Sequence, residues 1–181
     1  MIENRDDLKK KLINKMGSDT CPFIVIKGDH EIIAEVCMEV ASELNRQITR
    51  FKQGIHDVIN DVYGFTFMGT YYESPFTKAC AQGRIVLISR LDQSEYRALF
   101  PVKPAIDHGH YYEGGEVGVD YVRGDDDYSR PLLTVPQGKM KDVMKGFKII
   151  ASVSDMEWMY RWADSLVDLA LFLDASNIGP E

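Results

Sequence analysis

Cysteine is scarce in this chain of 181 residues, and the few present are far apart. Cys21, Cys37 and Cys80 form no CxxC pair and are odd in number. This pattern excludes a disulfide framework and is typical of proteins in a reducing compartment. The cysteine usage therefore predicts a cytoplasmic protein.

Long apolar runs and a leader segment are also lacking. The longest apolar stretches cover residues 23–26, 85–88 and 169–173, far fewer than a bilayer-spanning helix needs. The first 15 residues are charged throughout and have no apolar core of a signal peptide. We therefore predict no membrane contact.

An excess of positive charge is the third absence. The chain has 28 acidic and 21 basic residues and a net charge of −7. This balance argues against direct, generic nucleic-acid binding. Apolar residues make up 45% of the chain, so residues 1–181 are expected to form a single domain with a full core.

The sequence does contain alternating strand and helix patterns. Helices are predicted over residues 5–16, 30–46, 74–83, 93–100 and 155–165, and strands over 22–26, 47–53, 84–90, 147–153 and 167–173. This order predicts an α/β three-layer sandwich with a mainly parallel five-stranded sheet. The first 20 residues would supply an additional N-terminal helix.

Residues 107–146 differ from the rest of the chain because they are rich in glycine, tyrosine and acid. They show little helical periodicity, and hairpins are predicted around Gly114-Gly115 and Gly124. We treat this stretch as an acidic, hairpin-rich insertion.

A ligand site in such a sheet lies where the strands end, and the first strand leads through Lys27-Gly28 into a helix. This is the place for a phosphate-binding loop of the form GxxxxGK[ST]. Counted from Gly28, the second glycine is Ile33, the lysine is Ala34 and the hydroxyl residue is Glu35. Asp29 and Glu31 add negative charge, so the segment is a poor phosphate cradle.

Three segments in order carry a resemblance to a known family. They are SPFTKACAQG at 74–83, RIVLISRLD at 84–92 and GFKIIASVS at 146–154. Over residues 22–174 the chain resembles the AAA+ ATPase core of the MoxR and McrB-like branch. The resemblance implies a P-loop-type fold, a Walker B strand at 84–92 and a sensor-1 strand at 146–154.

The departures from that family fall on its catalytic positions. Ser89 and Arg90 stand where the Walker B aspartate and glutamate would be, and Ser152 and Ser154 replace the sensor-1 threonine and asparagine. No arginine stands in the RF pair that the family carries near the final strand, where this sequence reads SLVDL at 165–169, and the chain ends at Glu181 with no room for a lid. We therefore predict no catalytic residue, no metal and no cofactor. The vestigial nucleotide site would comprise Lys27, Gly28, Asp29, His30, Ala34, Glu35, Ser89, Arg90, Ser152 and Ser154.

Two hypotheses concern side chains near this site. Glu35 and Arg90 could form a salt bridge across the vacated metal position, or both could be ordinary surface charges. His30 could contact a phosphate, although a histidine at a helix cap is commoner.

A second histidine feature lies in the insertion. His108 and His110, with Glu113 and Glu116 nearby, have the spacing of a strand-borne metal pair. The same HxH spacing in a loop rich in tyrosine and glycine is more often incidental.

The insertion also carries seven carboxylates against one arginine between residues 107 and 127. These groups form either a solvated loop or a contact surface for a basic partner, which tyrosines would strengthen. The candidate partner-binding residues are Tyr112, Glu113, Glu116, Asp120, Tyr121, Asp125, Asp126 and Asp127. A second candidate patch consists of Phe65, Phe67, Tyr71 and Tyr72.

The function predicted from these features is a non-catalytic, degenerate AAA+-like module that binds and modulates a partner protein. The partner could be an active AAA+ ATPase or a DNA-binding protein, and the chain could also assemble with itself. Shrunken, free-standing ATPase domains of this kind suit a virus or mobile element. The alternative is an atypical ATPase subunit that binds ATP and magnesium and is completed by a neighbouring subunit.

Overall fold

The computed structural model describes residues 1–114, 119–123, 129–133, 139–162 and 164–179. The α-helices are α1 (Arg5–Met16), α2 (His30–Glu43), α3 (Pro75–Gln82), α4 (Val102–Asp107), α5 (Glu157–Trp162) and α6 (Asp164–Val167). The strands are β1 (Phe23–Lys27), β2 (Ile48–Phe51), β3 (Phe65–Phe67), β4 (Thr70–Tyr72), β5 (Ile85–Ile88), β6 (His110–Glu113), β7 (Val119–Arg123), β8 (Ser129–Leu133), β9 (Lys139–Asp142), β10 (Lys148–Val153) and β11 (Leu171–Asp174).

Five strands form a central sheet in the order β11-β1-β10-β5-β2. Every neighbouring pair is parallel, and Val25 of β1 lies between Ala151 of β10 and Phe172 of β11. Strands buried on both faces need helices above and below, and the connections supply them. The predicted α/β fold with a five-stranded parallel sheet is thus confirmed.

The core has two layers because successive strand residues point to opposite faces of the sheet. Ile24 and Ile26 pack with α1 and α2, whereas Phe23 and Val25 pack with the helices and turns that follow β2. Leu8 and Leu12 of α1 are fully buried, so the N-terminal helix is part of the domain's core. No helix among the described residues is long and apolar enough to span a membrane.

The helix before β5, α3, begins and ends at the residues that the sequence predicts. The Ser74 hydroxyl accepts a hydrogen bond from the Thr77 amide, Pro75 occupies the first helical turn, and Gly83 ends α3 in the left-handed conformation. These are the cap and stop residues that the sequence predicts for this helix. They fix the point at which β5 begins.

The prediction of one helix over residues 93–100 is wrong. Two short 3-10 turns, Leu91–Gln93 and Tyr96–Leu99, occupy this stretch, and α4 begins only after Pro101. The Glu95 amide donates to the Ile55 carbonyl, and the Ser94 hydroxyl accepts from the Ile55 amide. Because these groups are bound to the loop after β2, they cannot form the ladder of an α-helix.

The end of the chain is shifted relative to the prediction. α6 ends at Val167 and contains the buried Leu166, and β11 is limited to residues 171–174. The strand predicted over 167–173 therefore begins four residues later than expected.

The described residues of the insertion form antiparallel ribbons. β7 pairs with β8, and the outer strand β6 pairs with β9. Gly114 therefore ends a strand whose partner lies much later in the chain, and it does not form the turn of a local hairpin. The ribbons β6–β9 and β7–β8 lie outside the central sheet.

A second hairpin was not predicted. Residues 58–63 form a π-helical turn that ends at Gly64, and β3 and β4 then pair around Met68-Gly69. Both turn residues have positive φ, +48° and +80°, as a two-residue turn of the type I′ class requires. This β3–β4 hairpin carries Phe65, Phe67, Tyr71 and Tyr72.

Candidate functional site

The connection between β1 and α2 is too short for a phosphate-binding loop. β1 ends at Lys27 and α2 begins at His30, so only Gly28 and Asp29 lie between them. The positions counted from Gly28 as second glycine, lysine and hydroxyl therefore fall inside the helix. Ile33 and Ala34 are 1% exposed and belong to the core. The connection therefore has neither the length of a phosphate-binding loop nor the residues that are characteristic of one.

Asp29 occupies the anion position at the start of α2. Its Oδ1 accepts hydrogen bonds of 3.0 Å from the backbone amides of Glu31 and Ile32. Free amides at the N-terminus of a helix are the groups that hold a phosphate in P-loop proteins. Here a carboxylate of the chain satisfies them.

Gly28 is required for close packing. Its φ is +152°, and a Cβ atom at this position would lie 2.9 Å from the carbonyl oxygen of Ala175. The Ala175 amide in turn donates to the Lys27 carbonyl at 2.8 Å. The segment after β11 therefore lies directly against the β1–α2 connection.

His30 joins the ends of the strands through its two ring nitrogens. Nδ1 lies 2.7 Å from the Ser152 hydroxyl and Nε2 lies 2.8 Å from the Ser154 hydroxyl. Ser152 also accepts a hydrogen bond from the Arg90 amide at 3.1 Å, and the Ser154 amide donates to the Asp92 carboxylate at 3.0 Å. We call this group of five residues the His30 network.

The hydrogen bonds of the His30 network fit a neutral imidazole. Burial lowers the pKa of His30, and the positive charge of Arg90 lowers it further. Ser152 can donate its hydroxyl proton to Nδ1 while its oxygen accepts from Arg90, which leaves Nε2–H to donate to Ser154. A proton added to Nδ1 would remove the acceptor that Ser152 uses.

The predicted salt bridge between Glu35 and Arg90 is wrong. Glu35 pairs with Arg5 of α1 at 2.9 Å, while Arg90 Nη1 contacts Glu31 at 3.4 Å and the Lys52 carbonyl at 3.1 Å. Since α2 begins at His30, Glu31 is in its first turn, and Glu35 is one turn farther along, opposite α1. The arginine does pair with an acid of α2, but with the one nearer the strand ends.

Ser89 stands at the Walker B aspartate position and is closed off from solvent. It is 0% exposed, and its hydroxyl has no hydrogen-bond partner among the described residues. Its backbone is bound on both sides, because the Ser89 amide donates to Phe51 and its carbonyl accepts from Gly54. A metal could not reach this hydroxyl without a rearrangement of the loop after β2.

The structure thus brings together most of the predicted vestigial site. Gly28, Asp29, His30, Ser89, Arg90, Ser152 and Ser154 lie at the carboxyl ends of β1, β5 and β10. Lys27 is the last residue of β1, whereas Ala34 is in the core and Glu35 faces α1.

Sequence reasoning did not assign roles to Arg50 and Asp92, and it treated Glu31 only as a negative charge beside the loop. Arg50 contacts Glu31 at 3.4 Å, and Asp92 holds the Ser154 amide. Arg50 lies in β2 and Asp92 lies shortly after β5, and the carboxyl ends of both strands are at the site. This position relative to the strands was the signal from which the sequence could have identified them.

The acidic surface is described only in part. Tyr112 and Glu113 are in β6, and Glu113 is paired with Lys141 of β9 at 2.9 Å. Asp120 and Tyr121 are in β7. The other predicted contact residues lie outside the described residues: Glu116, Asp125, Asp126 and Asp127.

The histidines of the insertion have local partners. His110 lies 3.1 Å from Asp142, its cross-strand neighbour, and His108 lies 3.5 Å from Asp107. Within the described part of the chain, no group of three potential ligands is arranged to hold a metal ion. Glu116, the fourth residue of that hypothesis, is not described.

The His30 network predicts a pH-dependent stability. The pKa of His30 in the folded protein lies below the ordinary histidine value of about 6.5, so the unfolded state binds more protons at pH values just below 6.5. Stability should therefore fall as the pH decreases through about 6.5, and His30→Gln should make this fall shallower. Thermal melting of both proteins between about pH 7.5 and about pH 5.5 measures the difference. Identical pH profiles would show that His30 does not carry the effect.

No protein-family model and no curated protein matches the sequence. Solved structures match by fold. NtrX from Brucella abortus in complex with ADP aligns with a TM-score of 0.61 at 12% identity, over 96% of this chain and 35% of that one. Its complex with ATP gives a TM-score of 0.59 at 12% identity, over 93% and 34%.

A third match is a proposed ATPase from Cytophaga hutchinsonii, with a TM-score of 0.57 at 11% identity over 96% of this chain and 47% of that chain. This chain therefore spans between about a third and a half of the lengths of the proteins it matches. Identities this low carry information on fold alone. The narrower assignment to the MoxR and McrB-like branch stays a prediction. In its parallel sheet and flanking helices the chain has the P-loop type of α/β fold, and this fold resembles that of the AAA+ ATPases.

Proposed function

We propose that this chain is a non-catalytic AAA+-like module that binds a partner protein and modulates it. The observation that carries the proposal is the capped N-terminus of α2, where Asp29 binds the amides that a phosphate would need. A triphosphate would have to displace this carboxylate and would meet a second one on Glu31. Both costs oppose nucleotide binding.

The two positions that carry the Walker B carboxylates in the family hold other residues in this chain. Phosphoryl transfer depends on a metal, on cations that position the phosphates and on an oriented water. At the corresponding strand end stand a buried hydroxyl on Ser89 and an arginine at position 90 that contacts Glu31. Neither offers a carboxylate for magnesium or a base for water.

Partner binding is supported by the β3–β4 hairpin. Phe67 is 60% exposed and Met68 is 90% exposed, and Phe65 stacks on Tyr72 with ring centroids 5.3 Å apart. Large apolar side chains at the tip of a hairpin have a cost in water that a protein partner would remove. Tyr71 anchors the hairpin, because its hydroxyl donates to the Tyr63 carbonyl at 2.7 Å.

The acidic insertion is the second proposed contact surface, with an active AAA+ ATPase or a DNA-binding protein as the partner class. Its carboxylates would attract a basic surface and steer the encounter. Self-association through the same surfaces remains part of the proposal.

Capture of partners from a cell extract, followed by mass spectrometry, tests the binding proposal. We expect Phe67→Ser with Met68→Ser to reduce recovery of the specific partner at least tenfold, since exposed anchors of this kind contribute about 1.4 kcal/mol or more. Tyr160→Ser is the matched control, because Tyr160 is 59% exposed on α5. Replacement of Asp125, Asp126 and Asp127 by asparagine tests the acidic surface. Equal recovery with all variants would contradict both surfaces.

A second candidate is an ATPase subunit completed by a neighbouring subunit. The fold match to NtrX, whose structures contain ADP or ATP, favours it. A site completed by a neighbour requires assembly, so hydrolysis per chain would rise with protein concentration. Hydrolysis at background level over that range supports the non-catalytic proposal.

A further inference from the structure

A cavity of about 340 Å³ lies beside the amino ends of the central strands, at the end of the sheet opposite the His30 network. The end of α1, the end of α4 and the turn between β9 and β10 surround it, and its lining includes Arg46 and Lys148. Pockets for small molecules usually have volumes of about 300–1,000 Å³, apolar walls and a few polar groups that converge on the ligand. The cavity is at the lower end of this range.

Arg46 lines the cavity and has side-chain donors that no described residue uses. Its Nη2 donates to the carbonyl of Gly83 at 3.0 Å and to that of Gly146. No described residue accepts a hydrogen bond from Nε or Nη1. These two nitrogens leave part of the guanidinium fork available for an oxyanion.

Lys148 is the second cation, and it is 3% exposed. Its Nζ donates to the carbonyls of Lys15 at 2.8 Å and Ser18 at 2.5 Å, so one of its three protons has no acceptor among the described residues. Burial lowers the pKa of Lys148, and Arg46 also acts in that direction. A buried cation that lines a cavity and whose pKa is lowered is a candidate for ligand binding.

The local charge is unbalanced, although the protein as a whole is acidic. Lys145 at the rim pairs with Asp19 at 3.6 Å, but among the described residues no carboxylate forms an ion pair with Arg46 or Lys148. Asp19 also lines the cavity, but the ion pair given for it is with Lys145. Arg46 and Lys148 therefore line the cavity without an ion pair to a carboxylate of the described residues. The walls between them include Ile106 and Phe147, which are buried and apolar.

We propose that this cavity binds a small organic oxyanion, a carboxylate or a phosphate monoester, with the charged group between Arg46 and Lys148. Nε and Nη1 of Arg46 and the third proton of Lys148 are the donors. The apolar part of the ligand lies against Ile106 and Phe147. This site is independent of the proposed non-catalytic function, because it lies at the other end of the sheet.

NMR titration of the intact ¹⁵N-labelled protein tests the proposal with two probes, hexanoate and inorganic phosphate. We expect saturable shifts of the amides of Ile106, Gly146 and Lys148 with at least one probe. Hexanoate alone would identify a carboxylate ligand, and phosphate alone would identify a phosphate monoester. No saturable shift at these amides with either probe, up to tens of millimolar, would overturn the site.

Variants separate this site from a general effect of charge. Arg46→Gln should weaken binding of whichever probe binds the intact protein at least tenfold, a loss of about 1.4 kcal/mol. Arg84→Gln is the matched control, because the Arg84 side chain donates to Gln82, its one side-chain partner among the described residues, and does not line the cavity. Equal affinity of Arg46→Gln and Arg84→Gln would overturn the proposal. If Arg46→Gln does not fold, the shift map of the intact protein decides.

Discussion

Replacement of Gly28 by valine is expected to lower the free energy of unfolding by about 3–5 kcal/mol. At φ +152° the backbone is in a region that residues with a Cβ rarely adopt, and the new atom would meet the Ala175 carbonyl oxygen at 2.9 Å. That neighbour is backbone at the end of β11, so it cannot rotate away. For a chain of this length, the melting temperature should fall by roughly 6–15 °C.

Two other glycines separate the causes of this loss. Gly69 has φ +80° with no atom within 4 Å of its Cβ position, so Gly69→Val should show only the backbone cost, about 1–3 kcal/mol. Gly179 also has open space and no positive φ, so Gly179→Val should stay within about 0.5 kcal/mol of the parent protein. A Gly28→Val protein as stable as the parent would contradict the packing against Ala175.

Replacement of Ser152 by alanine is expected to lower the free energy of unfolding by about 2–4 kcal/mol. The Ser152 hydroxyl is 0% exposed and serves two partners, the Arg90 amide and His30 Nδ1. Without it both partners lose a hydrogen bond in a region closed to water, and each unsatisfied group costs about 1–3 kcal/mol. Urea denaturation at neutral pH measures the loss.

Ser154→Ala is the matched control for this prediction. Ser154 bonds the other nitrogen of His30, but it is exposed, so water can replace the lost hydroxyl and the cost should stay below about 1 kcal/mol. In a double-mutant cycle, Ser152→Ala and His30→Gln should be non-additive by more than about 0.5 kcal/mol. Equal losses for the two serines, or additive effects, would show that the His30 network is not coupled.

The fold could be predicted because its signals are local. Buried strands such as Ile85–Ile88 are continuous apolar runs, and α3 carries its own cap and stop at Ser74 and Gly83. The prediction of a helix over residues 93–100 failed because the sequence gives no sign that the Glu95 amide donates to the Ile55 carbonyl. A contact between residues so far apart in sequence has no local signature.

The sequence was enough to predict where the site lies, but not which side chains pair with one another in it. The strand ends pointed to Arg90, Ser152 and Ser154, which the structure joins to His30 through hydrogen bonds. The partner of Arg90 was missed because the motif count assumed a long loop after Gly28, whereas the helix begins at His30. A shift of one helical turn exchanged Glu31 for Glu35. The β3–β4 hairpin was missed because it depends on left-handed backbone at Met68.

The central claim is that the chain's own groups fill the place where an AAA+ ATPase would bind nucleotide. Titration of the intact protein with Mg²⁺ and ATP, followed by thermal melting, tests it most directly. We predict no change in melting temperature up to millimolar ATP, because Asp29 holds the amides at the start of α2. Bound ATP at one hundred times its dissociation constant would add about 2.7 kcal/mol of stability, or about 5–11 °C. A saturable rise of that size that requires magnesium would contradict the claim.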